Sequence, residues 1–103
     1  MYKLSFFVPE AYLESVKSAV FESGAGKIGD YEQCCWQILG EGQFKPSSKA
    51  APFLGEVDQL NKVAEYKVEM VCAEAIIDAA ITALKLAHPY EEPAYDVVKL
   101  EDK

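Results

Sequence analysis

Two strand–helix–strand patterns, one in each half of the chain, constrain the fold more than any other feature. Apolar residues alternate along two stretches, which predicts half-buried strands, and recur at helical spacing along two others. The predicted order is strand 2–8, helix 10–23, strand 32–38, a long loop at about 40–64, strand 65–72, helix 73–88 and strand 95–100. Within one domain, residues 1–103, this order predicts an α+β, ferredoxin-like (split β-α-β) sandwich, with a four-stranded antiparallel sheet and two helices on one face.

The same apolar pattern predicts which strand residues face the helices. On the first and third strands these are Tyr2, Leu4, Phe6, Val8, Tyr66, Val68, Met70 and Cys72. On the second strand the pattern places Cys34, Trp36 and Ile38 on the helix side. The uncovered face is then mixed polar, with one bulky exception: Lys3, Ser5, Phe7, Gln33, Cys35, Gln37, Lys67 and Glu69. A small domain with such a face is expected to pack against another copy of itself.

Charge and composition exclude several classes of partner. The net charge is −7 and all ten basic residues are lysine, so the forked donor most used for phosphate and guanine is missing. Nucleic-acid binding is therefore not expected, because the negative field repels a phosphate backbone. No stretch approaches the length of a membrane span, and the first residues lack the pattern of a signal peptide. The sequence predicts a cytoplasmic protein.

The segment HPYEEPAYDV, residues 88–97, is the main candidate site because it contains the only histidine and two adjacent glutamates. His88, Glu91 and Glu92 offer imidazole and carboxylate ligands of the kind that divalent metals use. One short segment with two prolines does not easily supply a full set, so further ligands are needed from elsewhere. The alternative is structural, with His88 capping the last turn of the second helix, where the helix dipole favours a cationic ring. On this interpretation the segment mainly connects the last helix to the last strand, and its role as a ligand site is secondary.

Catalysis has weaker support in the sequence. Cys34 or Cys72 with His88 is the only available pair of nucleophile and base, and nothing in the spacing indicates contact. Three cysteines without a secretion signal predict reduced thiols with packing roles. The glycines near residues 24–29 and 40–42 lack the context of a dinucleotide or phosphate loop.

Several segments together resemble a known family. In order and spacing, GAGKIGDYEQC, GEGQFKP, AAPFLGEV, KVEMV and AHPYEEPAYDV resemble the domain inserted in the middle of YqfO-type members of the NIF-three-like (Ngg-one-interacting-factor-like) family. The resemblance covers nearly the whole chain, and HPYEEPAYDV is its most specific part. That part also resembles the HPYE-x-P stretch of CutA, and both are more loosely similar to the trimeric PII signalling proteins. PSSKAAP departs from the pattern, because it lacks the glycine often found ahead of Ala-x-Pro.

The resemblance implies a PII/CutA-like domain that forms trimers and has a binding or regulatory role. CutA has been linked to divalent metal tolerance, and that link reaches this chain only through the matching residues His88, Pro89, Tyr90, Glu91 and Pro93. The family's di-metal centre lies in two flanking halves that have no counterpart in these 103 residues. Its presumed hydrolase chemistry is therefore not transferred.

Three functional hypotheses follow. The first is a homo-oligomeric binding or regulatory protein, with a trimer favoured and a divalent metal or small ligand as the cofactor. Its site groups the metal candidates His88, Glu91, Glu92 and Cys34 with the ligand-binding candidates Tyr31, Glu32 and Tyr90, within one chain or across a subunit interface. The second is a protein partner that docks in trans on a di-metal NIF-three-like core protein. The third, ranked last, is a metal-dependent hydrolase.

Overall fold

A four-stranded antiparallel sheet carries two helices on one face, as the sequence predicts. The computed structural model describes residues 1–103. Its elements are β1 (Tyr2–Pro9), a 3-10 turn (Glu10–Tyr12), α1 (Leu13–Glu22), β2 (Trp36–Phe44), β3 (Asn61–Cys72), α2 (Ile77–Ala87) and β4 (Tyr95–Lys99). The strand order is β2-β3-β1-β4, with every neighbouring pair antiparallel. The predicted fold class is confirmed.

The core lies between the sheet and the helices. Leu4 pairs with Met70 and Phe6 with Val68, so the alternating apolar residues of β1 and β3 share one face. The core is a single cluster: Leu4, Phe6, Val8, Leu13, Val16, Val20, Ala25, Val68, Met70, Cys72, Ile77, Ala80 and Leu84. The predicted helix-facing residues of β1 and β3 all belong to this cluster or pack against it. Simple alternation was enough here because both strands lie in the centre of the sheet.

Both helices are short and amphipathic. Helix α1 ends ahead of Gly24, whose φ of +107° is a left-handed conformation that glycine adopts at little cost. Helix α2 ends at Ala87, ahead of the two prolines that cannot continue it. Neither helix is long and apolar enough to cross a membrane.

Strand β2 differs from the prediction in both length and orientation. It runs from Trp36 to Phe44, and β3 begins at Asn61, so the loop spans residues 45–60 and not 40–64. Gln37 pairs with the buried Val68 and accepts a 2.9 Å hydrogen bond from the Lys17 ammonium group of α1. Gln37 is therefore on the helix side.

The residues predicted to face the helices from β2 do not do so. Trp36 and Ile38 lie on the uncovered face, where they are 60% and 52% exposed. Cys34 precedes the strand altogether. The pattern was misleading because β2 is an edge strand, and its apolar residues do not pack into the core formed by the central strands.

The uncovered face of the sheet combines charged and apolar residues. Glu69 receives ion pairs from Lys67 at 3.2 Å and from Lys3 at 3.9 Å. Beside these charges stand Trp36 and Ile38 at the edge of the sheet. The predicted positions of Lys3, Lys67 and Glu69 on this face are confirmed by the strand register.

The first and last residues of the sheet lie side by side. Strand β4 runs antiparallel to β1, with Tyr2 opposite Lys99. One residue further on, the Leu100 amide donates a 3.0 Å hydrogen bond to the Met1 carbonyl. The sheet therefore brings both ends of the chain to the same place.

Candidate functional site

A cleft of about 490 Å³ lies at one end of the sheet and is hereafter called the cleft. Four segments form it: the paired ends of β2 and β3, the loop 45–60, the segment that follows α2, and Phe7 of β1. Its apolar and aromatic lining consists of Phe7, Phe44, Pro46, Ala50, Pro52, Phe53, Leu54, Tyr90 and Ala94. Its charged lining consists of Lys45, Glu65, Glu91 and Glu92. A volume of this size is in the range that holds a small molecule.

Tyr90 is the polar group that most needs a partner in this cleft. Its hydroxyl oxygen is buried and makes no hydrogen bond in the protein. Burial raises the pKa of the Tyr90 phenol, and the nearby Glu65 carboxylate raises it further. Glu65 acts on the phenol as a hydrogen-bond acceptor as well as through its charge, although the contact lies outside strict hydrogen-bond geometry. Such an unpaired buried hydroxyl is costly and rare in folded proteins.

The Glu65 side chain has its position because residue 42 is glycine. A β-carbon at Gly42 would overlap the Glu65 Oε1 atom, so the carboxylate lies directly over the backbone of β2. Glu65 takes part in none of the chain's ion pairs. The cleft thus contains a half-buried carboxylate without a counter-charge, next to a hydroxyl without a partner.

His88 is engaged on both sides of its ring. Its Nε2 lies 2.6 Å from the Phe7 carbonyl of β1, and its Nδ1 accepts the Tyr90 amide at 3.1 Å. These contacts assign the neutral tautomer with the proton on Nε2, which donates to the carbonyl. Burial lowers the pKa of the ring below its ordinary 6.5, an effect larger than the opposing ones of the Phe7 carbonyl and the Glu65 charge.

The ring of His88 therefore acts as a junction, but not in the way expected from the helix dipole. It connects the end of α2 to β1 and orients the backbone of Tyr90. His88 is the C-cap residue of α2, as expected, and its backbone N–H donates to the Leu84 carbonyl. Burial favours the neutral ring, so this cap does not depend on a cationic ring. Both nitrogens are occupied, so binding a metal would require breaking one of these contacts.

Glu91 attaches the long loop to the segment after α2. One of its carboxylate oxygens accepts a 3.2 Å hydrogen bond from the Ala51 amide, forty residues away in the sequence. Glu92 is exposed at the rim of the cleft. The predicted residues Tyr90, Glu91 and Glu92 are thus brought together around one cleft.

The other predicted site residues lie at the opposite end of β2. Tyr31, Glu32 and Cys34 precede Trp36, whereas the cleft begins at Gly42. The six residue steps from Trp36 to Gly42, at about 3.3 Å each, separate the two groups by about 20 Å. Glu32 lines a separate pocket of about 300 Å³. Within one chain, the two halves of the predicted site do not meet.

The metal candidates are likewise dispersed. No group of three or more His, Cys, Asp or Glu side chains converges as a metal site in the chain. Glu91 is used by the loop, and Cys34 lies with the distant group, where its thiol is 3.8 Å from the Glu32 carbonyl. A complete set of ligands would have to include groups from a second chain.

Sequence reasoning missed Glu65, Gly42 and the aromatic walls Phe44 and Phe53. Glu65 had only the regular position of a polar residue on an alternating strand. The glycine pair at 40–42 is typical of a tight turn or a bulge, but a glycine inside a strand also signals a close approach by another group. That second meaning of glycine was the one available clue.

Comparison with known proteins shows which proteins the chain resembles. No family model matches it. It is 44% identical over 98 residues to a protein of Mycobacterium leprae named GTP cyclohydrolase 1 type 2 homolog, covering 95% of this chain but 26% of the relative. The crystal structure of a Bacillus cereus protein related to NIF3 superposes with a TM-score of 0.83 at 37% identity, over 98% of this chain and 26% of that one. The chain is homologous to one domain of the NIF3-related proteins.

This NIF3-related domain also shares its fold with a protein of similar length. The periplasmic divalent cation tolerance protein CutA from Archaeoglobus fulgidus matches with a TM-score of 0.70 at 13% identity, over 100% of this chain and 87% of that one. At that identity the likeness concerns the fold alone. The NIF3-related domain thus has the architecture of CutA, while it spans about a quarter of the length of the relatives with which it shares sequence.

Proposed function

We propose that this chain is a small homo-oligomeric binding module whose ligand occupies the cleft. The observation that carries the proposal is the buried Tyr90 hydroxyl, which has no partner in the protein and lies among aromatic side chains. A ligand that hydrogen-bonds this oxygen would remove the cost of leaving it unpaired. Glu91 supports the same role, because its bond to the loop helps to hold one wall of the cleft in place.

Self-association is supported by the edge strand β2. An exposed edge of nine residues offers unpaired backbone groups, and it has one charged side chain, Glu41, among its exposed residues. Trp36, Ile38 and Leu39 are each more than half exposed on this strand. A second copy that pairs with β2 would cover them. We favour a trimer, in keeping with the resemblance to the PII-like proteins.

Native mass spectrometry of the untagged protein tests both parts. The expected result is a closed oligomer with a stoichiometric extra mass, and Tyr90→Phe loses that mass. Tyr95→Phe is the matched control, because it also removes a tyrosine hydroxyl but Tyr95 does not line the cleft. Ile38→Lys is expected to shift the oligomer to monomer. A bare wild-type monomer would contradict the proposal.

The same spectrum tests a divalent metal as the ligand. The Archaeoglobus fulgidus neighbour is a divalent cation tolerance protein, and the candidate metal ligands in this chain are His88, Glu91, Glu92 and Cys34. The dispersal of these groups in one chain means that a metal site requires a neighbouring subunit. A metal is supported if the extra mass equals one divalent ion per site and is removed by a chelator.

A second candidate is docking in trans on the remainder of a NIF3-related protein. It is favoured by the 26% share of the relatives that this chain matches, because the other segments of those relatives are its natural neighbours. Size-exclusion chromatography with a purified core lacking the matched domain tests it. Co-elution that Ile38→Lys abolishes would support docking through β2, and separate elution would exclude it.

A further inference from the structure

The charges around the cleft restrict what can bind there. Three carboxylates, those of Glu65, Glu91 and Glu92, line it against the single ammonium group of Lys45. With a net charge of −7 on the whole chain, an anionic ligand would be repelled both locally and at a distance. A purely apolar ligand would desolvate Glu65 and leave the Tyr90 hydroxyl unpaired.

Aromatic side chains define the remainder of the cleft. The rings of Phe44 and Tyr90 lie 6.3 Å apart at an angle of 45°, and Phe53 is fixed edge-on by Tyr12 at 5.4 Å. Flat apolar groups pack well against such rings, and the ring faces also attract cations. The walls therefore suit a ligand that has an apolar body and a positive charge.

We propose that the cleft binds a small organic cation, with an ammonium group between Glu65 and Tyr90 and a flat apolar body against Phe44 and Phe53. This ligand class rests on the proposed function and deepens it. The ammonium group supplies the counter-charge that Glu65 lacks and donates an N–H to the Tyr90 hydroxyl oxygen. The absence of a side chain at Gly42 gives the carboxylate its place.

Protonation is consistent with this arrangement. A tyrosine phenol is neutral at physiological pH. A neutral phenol offers lone pairs to the ammonium group and keeps its own proton available for the carboxylate. All three groups can then be satisfied together.

Three isosteric probes test the ligand class: benzylamine, benzyl alcohol and benzoate. Their binding is followed by amide chemical shifts of residues 42–47 and 90–94 in an NMR titration at pH 7.5. We expect benzylamine to bind, benzyl alcohol to bind about tenfold or more weakly, and benzoate not to bind, because hydrogen bonds to charged groups are the stronger ones. Equal binding of benzyl alcohol, or no binding of benzylamine, would overturn the assignment.

Two variants and a matched control test which residues of the cleft recognise benzylamine. Glu65→Gln is expected to reduce benzylamine affinity about tenfold or more, and Tyr90→Phe to reduce it less, because a neutral contact is the weaker one. Glu101→Gln removes the same charge from an exposed position outside the cleft and is expected to bind like wild type. If Glu65→Gln and Glu101→Gln bind equally, the role of Glu65 is overturned.

This outcome can be separated from failure of the proposed function. Native mass spectrometry reports whether any ligand is retained through Tyr90, whatever its charge. A retained anion or neutral molecule would refute the proposal of an organic cation, but it would leave the proposed binding function intact. A bare protein that also ignores benzylamine would contradict both.

Discussion

Replacing His88 by alanine removes a side chain that holds two backbone segments together. The ring donates to the Phe7 carbonyl at 2.6 Å and accepts the Tyr90 amide at 3.1 Å, and the residue is only 6% exposed. Leaving a buried polar partner unsatisfied costs about 1–3 kcal/mol. Since two partners lose their hydrogen bonds, we expect His88→Ala to lower the free energy of unfolding by about 2–4 kcal/mol.

Urea unfolding followed by circular dichroism, at fixed protein concentration, pH 8 and in the presence of a chelator, measures this loss. With a slope of about 2 kcal/mol per molar urea, the midpoint falls by about 1–2 M. Leu86→Ala on the same helix is the matched control, because Leu86 is 83% exposed and its loss is expected to change stability by less than about 0.5 kcal/mol. The structural role of His88 is refuted if His88→Ala is as stable as this control, or if its deficit appears only with a divalent metal present.

Three further predictions concern pH, backbone conformation and packing. The folded state lowers the pKa of His88, so the folded chain binds fewer protons than the unfolded chain. The stabilisation from the neutral ring is therefore complete above about pH 6.5 and is lost as pH falls through the folded pKa. Urea titrations should show the difference in stability between wild type and His88→Ala narrowing toward pH 5. Gly26 has a φ of +81°, and a β-carbon there would lie 2.9 Å from a backbone carbonyl oxygen, whereas a β-carbon at Gly29, at φ +57°, would meet open space. In thermal unfolding, Gly26→Ala should lose about 1–3 kcal/mol of stability, and more than Gly29→Ala loses. Equal losses would count against the close contact at Gly26. Leu84→Ala should cost about 2–5 kcal/mol by urea unfolding, and a value as small as that of Leu86→Ala would contradict the packing of α2.

The central elements could be predicted from the sequence because their physics is local. Leu4 and Phe6 alternate on β1 and pack against helices on one side only, so the period of two translates directly into burial. Val16 and Val20 repeat at helical spacing on α1 for the same reason. Where an element has one buried face, the apolar pattern and the structure agree.

The orientation of the edge strand and the composition of the cleft could not be predicted from the apolar pattern in the same way. Trp36 and Ile38 are apolar residues that do not enter the core, so on β2 the pattern marks the uncovered face of the sheet. The neighbourhood of Glu65 and Tyr90 depends on strand register and on the path of a long loop, neither of which has a local signature. The sequence singled out Tyr90, Glu91 and Glu92, but it could not show that Tyr31 and Cys34 lie beyond the other end of β2.

The hydrogen bond between Leu100 and Met1 has a consequence for how such a domain can occur in nature. A unit whose entry and exit points are adjacent can be spliced into a surface loop of a host protein while the host chain continues almost where it left off. Neither the sheet of the guest nor the core of the host needs to deform. This geometry accounts physically for a fold that matches a quarter of the relatives' length in one case and nearly all of the smaller CutA chain in another.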